Sequence, residues 1–166
     1  MLAQLNPIVG DLEKNSKIIL ETYKKASKNK VDILAFPEMF LSGYQIQDLV
    51  FRPAFQKDLE KYISFIGKHC INNTYLLFGS PVVEKEKIFN AYLLLKNGKV
   101  KIISKKYHLP NDTLFDEKRY FSQSDHKELL EIKGIKIGFP ICEDIWYDDI
   151  SKMLKKKGAD LLISPN

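Results

Sequence analysis

The chain has 166 residues, 45% of them hydrophobic and 28% charged, and a formal net charge of +5. That length supports about one domain with a core of its own, and no segment approaches the ~18 apolar residues of a membrane span. Basic residues are scattered among acidic neighbours (EKEK, DLEK, DEKR) with no interleaved aromatic and basic stripe, which argues against nucleic acid as well as membrane as a partner.

In chain order, residues 2–5 read as a short strand and 6–11 as a turn. Apolar residues at helical spacing (Ile18, Ile19, Tyr23, Ala26) predict a helix over 12–28. Residues 31–36 form an apolar run stopped by Pro37, hence a buried strand, and 43–53 read as a loop. A second helix is expected over 54–69 and a strand over 74–79. Residues 88–95 and 99–104 flank Asn97-Gly98, a strong hairpin signal. Residues 129–132 and 135–138 pair in the same way around Lys133-Gly134. A third helix is expected over 144–157, acidic at its start, Lys-rich at its solvated end and closed by Gly158. A last strand spans 160–164. Strands alternating with helices early and hairpins in the middle predict a mixed α/β sheet or sheet pair. Asn166 follows that last strand directly, leaving an open apolar edge, so the chain reads as a piece of a longer protein.

Cys70 and Cys142 give neither a disulfide framework nor a metal pattern, no His/Cys cluster has zinc spacing, and residues 2–5 run into Asn6-Pro7 without a secretory pattern. A reducing cytoplasm is the expected compartment. The basic residues are 24 Lys and two Arg, Arg52 and Arg119. The two arginines serve either as planar bidentate donors or as ordinary surface residues.

Three segments end alike. Glu38 follows the strand of VDILAFPEMF, Lys106 follows that of KVKIISKKYHLP, and Cys142 follows the apolar run and Pro140 turn of GIKIGFPICEDIW. In open sheets the reactive crevice lies outside the carboxyl ends of strands, so a carboxylate, an amine and a thiol placed there suggest one site. Each has a plainer reading: a buried cysteine, a helix-capping acid, one lysine among many. His108, two residues from Lys106, is an alternative base for a Cys–His pair. Cys70 has no acid or base beside it and reads as core.

FPEMFLSGY, KKYHLP and FPICEDIW resemble the three signature blocks of the nitrilase (carbon–nitrogen hydrolase) superfamily. More narrowly, LAQLNPIVGDLEKN, DLVFRPAF, LPNDTLFDEKRYF and CEDIWYDD resemble the N-terminal glutaminase domain of glutamine-dependent NAD⁺ synthetases, in the same order across nearly the whole chain. The resemblance implies an α-β-β-α sandwich, here incomplete at its C-terminus, with residues 1–166 as the N-terminal part of the glutaminase domain. It implies hydrolysis of glutamine, with the ammonia used by a C-terminal synthetase domain to amidate deamido-NAD⁺. By motif match Glu38 is the general base, Lys106 the catalytic lysine and Cys142 the nucleophile. Glu117 matches a supporting acid, and Glu143 a glutamine-binding position. Asp112 stands where the family has a glutamine-contacting tyrosine; it keeps a charge for the substrate ammonium and loses the aromatic wall. No cofactor or metal is expected in this domain, ATP and Mg²⁺ belonging to the absent synthetase domain, and the expected assembly is a homo-oligomer. The competing readings are a stand-alone amidase acting on another small amide and an inactive half-domain that needs a partner.

Overall fold

The computed structural model describes residues 1–112 and 114–166; Thr113, inside the LPNDTLFDEKRYF block, lies outside the described residues. Helix α1, Leu12–Lys28, has the expected bounds. The Asp11 carboxylate accepts the Lys14 N–H at 2.9 Å, satisfying a donor that the first turn leaves open. Strand β1, Ile33–Ala35, follows. Residues 2–5 do not form the expected strand: Leu2 makes one bridge to Ala35. The chain then curls back, the Leu5 N–H reaching the Ala3 carbonyl at 3.0 Å, and Pro7 has no N–H with which to extend a ladder.

The stretch expected to be loop contains a 3₁₀ turn, Gln47–Phe51, before α2, Pro53–His69, which starts with proline at its first position. Strands β2, Tyr75–Glu84, and β3, Lys87–Lys96, form a long hairpin. It reverses through Lys85 and Glu86 with φ of 47° and 66°. The sequence reading ends the first of these strands at Gly79, because Lys-Glu carries none of the Asn/Gly chemistry of such turns. Strand β4, Lys99–Lys105, follows Asn97-Gly98 as that dipeptide predicts. Helix α3, Glu117–Tyr120, is a single turn that no periodicity announces. Strands β5, Leu130–Ile132, and β6, Ile135–Gly138, pair around Lys133-Gly134. The helix expected over 144–157 is instead a 3₁₀ turn, Cys142–Ile145, then α4, Asp148–Lys156. Asp144 does not cap it, because its carboxylate is taken by backbone N–H groups elsewhere. Strand β7 is only Leu161–Leu162.

One sheet has the order β1-β2-β3-β4 and the other β5-β6-β7. Side-chain alternation shows how they stack. Leu76, Phe78, Leu93 and Leu95 face α1 and α2, whose Ile19, Tyr23, Leu59 and Ile66 share that core. Their neighbours Leu77 and Tyr92 face the other way, against Leu130, Ile137 and Phe139 of the second sheet. Helix α4 packs through Ile150 and Leu154, and Leu154 also meets Gly138 of β6. The layers are therefore helix, sheet, sheet, helix, the α-β-β-α sandwich expected. Strands buried on both faces carry near-continuous apolar runs, which is why LLF and YLLL lack polar alternation.

β1 and β4 are parallel but lie on opposite edges of their sheet. Their carboxyl ends meet because the chain leaving β1 crosses over β2. The Phe36 N–H bonds the Leu77 carbonyl at 2.9 Å, the Gly79 N–H the Pro37 carbonyl at 3.2 Å, and the Leu41 N–H the Gly79 carbonyl at 3.1 Å. Gly79 permits the crossing: a Cβ there would lie 2.1 Å from the Met39 nitrogen and 2.7 Å from the Glu38 carbonyl carbon. Both are backbone atoms and cannot swing aside. Gly79→Ala should therefore cost at least about 1–3 kcal/mol, seen as a melting temperature lower by at least about 2–4 °C. An unchanged melting temperature would mean that the crossing has slack.

Candidate active site

The crossing carries Glu38 over β3 to the end of β4, where Lys106 follows directly. The Lys106 ammonium donates to Glu38 Oε1 and to Glu117 Oε1, both at 2.8 Å. Glu117 arrives at the start of α3, held by its N–H on the Pro110 carbonyl at 3.0 Å. All three are buried, Lys106 completely. Two further groups complete the cluster: the Asn90 amide donates to Glu38 Oε1 at 2.7 Å, and the Tyr44 hydroxyl donates to Glu117 Oε1 at 2.5 Å. Asn90 also holds Lys106 by its backbone, its carbonyl accepting the Lys106 N–H at 2.8 Å.

Cys142 comes from the other sheet, four residues beyond β6. It has a φ of 44°, in a region that non-glycine residues seldom occupy. Its N–H is fixed on the Pro165 carbonyl at 2.9 Å. Glu38 and Cys142 line one open cleft of about 590 Å³, with Asp112 and Glu143 also in its wall. Lys106 and Glu117 lie behind that wall. Tyr44, Phe115 and Trp146 supply aromatic surface to the same cleft. Asp112 itself is exposed, and its carboxylate accepts the Leu114 N–H at 3.2 Å.

Burial pushes the Cys142 thiol up to about 12; the nearby Glu38 carboxylate, as a charge and as a hydrogen-bond acceptor, adds to this, and Lys106 opposes it. The turn that presents the thiol is a 3₁₀ helix of four residues, too short to supply a strong dipole. Burial also raises the Glu38 carboxyl; Lys106 pulls it down and the Glu117 charge pushes it further up. Burial alone would lower the Lys106 ammonium, but the two carboxylates outweigh it and raise the group. The resting site therefore holds a protonated thiol beside a Glu38 carboxyl that burial makes the stronger proton acceptor. It is suited to proton transfer during attack rather than to a standing thiolate.

The other candidates separate from this cluster. His108 does not form a Cys–His pair: its Nε2 meets the Asp149 carboxylate at 2.8 and 2.9 Å and its ring stacks on Tyr147 at 4.3 Å. Cys70 is core, at the C-terminal end of α2. Arg119 reaches both oxygens of Asp48 through one nitrogen, at 2.8 and 3.0 Å, with both side chains more than half exposed. This is the surface reading of that arginine. The sequence reading missed Asn90 and Tyr44. Asn90 was detectable as the one polar residue inside the run IFNAYLLL; Tyr44 lies within the block FPEMFLSGY but carries no separate signal.

The sequence profile of the carbon-nitrogen hydrolase family matches residues 2–166. Glutamine-dependent NAD(+) synthetases from Rhodobacter capsulatus and Aquifex aeolicus are 38% and 41% identical over 99% of the chain, which spans 30% and 29% of their lengths. Among solved structures, the glutamine-dependent NAD⁺ synthetase of Acinetobacter baumannii superposes with a TM-score of 0.93 at 31% identity, covering 99% of this chain and 31% of that one. An amidase of the nitrilase superfamily from Nesterenkonia superposes with a TM-score of 0.87 at 19% identity, over 99% of this chain and 63% of that one. The second match speaks to the fold alone.

The Glu38→Gln variant gives two readouts. A carboxyl whose folded pKa is raised contributes stability that is complete below its unfolded value, 4.5, and is lost as pH rises through the folded one. Glutamine keeps an oxygen for Lys106 and Asn90 and does not ionise. The variant should thus match the parent in acid and equal or exceed its stability above about pH 5, while its Cys142 titrates lower. Denaturation against pH and thiol titration check both. A variant less stable at neutral pH, with an unmoved thiol, would refute this account of the charges.

Proposed function

The chain belongs to the carbon-nitrogen hydrolase family, and we propose that it hydrolyses the side-chain amide of glutamine through a thioester on Cys142. In this reading residues 1–166 are the N-terminal part of a nitrilase-type glutaminase domain, and the ammonia serves a C-terminal synthetase domain that converts deamido-NAD⁺ to NAD⁺. ATP and Mg²⁺ are assigned to that synthetase domain, and no metal or cofactor to residues 1–166. The observation that carries the reading is the meeting of Glu38 and Cys142, drawn from different sheets, at one cleft backed by Lys106.

Glu38 takes the thiol proton as sulfur attacks the amide carbon. It returns that proton to the departing ammonia, then removes one from the water that cleaves the thioester. Its raised pKa suits both directions of transfer. Among the described residues, two of the three Lys106 N–H bonds go to carboxylates, which leaves one for the developing oxyanion together with the Glu143 backbone N–H. Losing one such donor costs about 3–4 kcal/mol in comparable sites. Glu117 holds Lys106 from the far side, and Tyr44 holds Glu117. Asp112 and Glu143 give the cleft the negative charge that a substrate ammonium requires, with Tyr44, Phe115 and Trp146 against its methylenes.

In the full-length protein, Cys142→Ala should abolish glutamine-driven NAD⁺ formation and spare formation from added ammonia, which bypasses the thioester. Equal loss with both nitrogen donors would reveal a folding defect instead, and unchanged glutamine use would sink the reading. Lys106→Ala should cost far more glutamine-driven activity than His108→Ala, whose ring faces Asp149; the reverse ranking would restore histidine as the base.

A further inference from the structure

Two charged residues outside this chemistry are buried as deeply as Lys106. Asp144 is 0% and Lys127 is 2% exposed, and they form an ion pair at 3.1 Å. What they hold is specific. Asp144 Oδ1 accepts the N–H groups of Tyr107 and His108, at 3.0 and 2.9 Å, the two residues after Lys106. Asp144 Oδ2 accepts the N–H of Ile141 at 3.0 Å, the residue before Cys142. The Lys127 ammonium bonds the carbonyl of Lys105, the residue before Lys106. One ion pair thus grips the backbone on both sides of Lys106 and immediately ahead of Cys142.

These contacts join the sheets as well. Lys127 lies on a segment that runs along the edge of β4, bridging Ser104, with the Lys105 N–H on the His126 carbonyl at 2.9 Å. Asp144 belongs to the turn beyond β6 that presents the thiol. A buried pair kept for stability alone is commonly replaceable by apolar residues of similar volume. Here that replacement would strand three backbone N–H groups, each within two residues of a residue that the reaction needs to be in place.

We infer that the Asp144–Lys127 ion pair is a positioning device that sets the separation of Lys106 and Cys142 across the two sheets. The inference rests on the proposed roles of those two residues. Neither Asp144 nor Lys127 lines the cleft; both act through the peptide groups they hold.

The test uses the full-length enzyme, with glutamine-driven and ammonia-driven synthesis measured side by side. Asp144→Glu keeps the charge and the lysine partner and adds one methylene, so it alters position and not pairing. The added methylene in a fully buried site should lower the melting temperature by a few degrees. At an assay temperature where the variant is fully folded, it should retain the parent KM for glutamine and ammonia-driven rate. Its glutamine-driven kcat should fall on the order of 10²-fold, the effect of about 1 Å of misplacement. Asp144→Asn places an N–H donor against other donors on one limb and should show the same loss in kcat. A folded Asp144→Glu with parent kcat overturns the inference. So does a loss of kcat that only tracks melting temperature and is restored in the Asp144→Asn, Lys127→Met double variant, since that is the behaviour of a stabilising pair. If the Asp144 variants do not fold, Lys127→Arg takes their place: a kcat-only loss supports positioning and parent kcat refutes it. Parent-like glutamine use by Cys142→Ala would topple the proposed function itself. Inactive Cys142→Ala beside parent-like Asp144→Glu removes this inference alone.

Discussion

Everything at the cleft depends on one ammonium held between two carboxylates inside the protein. Lys106 meets Glu38 and Glu117 at the same distance, 2.8 Å, with no exposure of its own. Desolvating three charges costs several kcal/mol per ion before their attraction is counted. The fold recovers this with the hydrogen bonds of Asn90 and Tyr44 and with the surplus negative charge, which keeps Lys106 protonated. With two carboxylates on one cation, burial and the Glu117 charge raise the Glu38 carboxyl while Lys106 pulls it down.

The same arrangement explains the architecture around it. Glu38 and Lys106 leave strands on opposite edges of one sheet, and Cys142 leaves the other sheet. Bringing them together takes a chain crossing over β2, a short α3 that delivers Glu117 and a turn that places Cys142 at positive φ. Each of these departs from regular structure. Gly79 accommodates the first, and the backbone bond from Cys142 to Pro165 anchors the last. The close crossing at Gly79, the positive φ of Cys142 and the buried Glu38–Lys106–Glu117 charges all lie at or behind the cleft, between the apolar layers of the core.

Residue pattern carried much of this. The bounds of α1 and both Gly-containing hairpins follow from periodicity and turn chemistry, whereas the stacked layers are what the resemblance of the signature blocks implies. The three residues now brought together at one cleft stood out because each follows an apolar strand. The misses share a physical origin. The β2–β3 hairpin turns on Lys85-Glu86, where long-range pairing overrides turn propensity. The single turn of α3 is too short for any period to register, and the split at Asp144 depends on partners about forty residues away. Tyr44 and Lys127 act through tertiary contacts that local pattern does not encode, and Asn90 shows locally only as a polar residue inside an apolar run.

The two cysteines are alike in acidity and unlike in access. Burial pushes both thiols to about 12, so acidity does not distinguish them. Access does: Cys70 is sealed at 0% exposure, whereas Cys142 opens on the cleft. Within residues 1–166, an attachment point therefore exists at a single sulfur without removal of the other cysteine. A fluorescent or isotopic reporter coupled there would sit against Trp146 and the acidic wall and would report on whatever occupies the cleft.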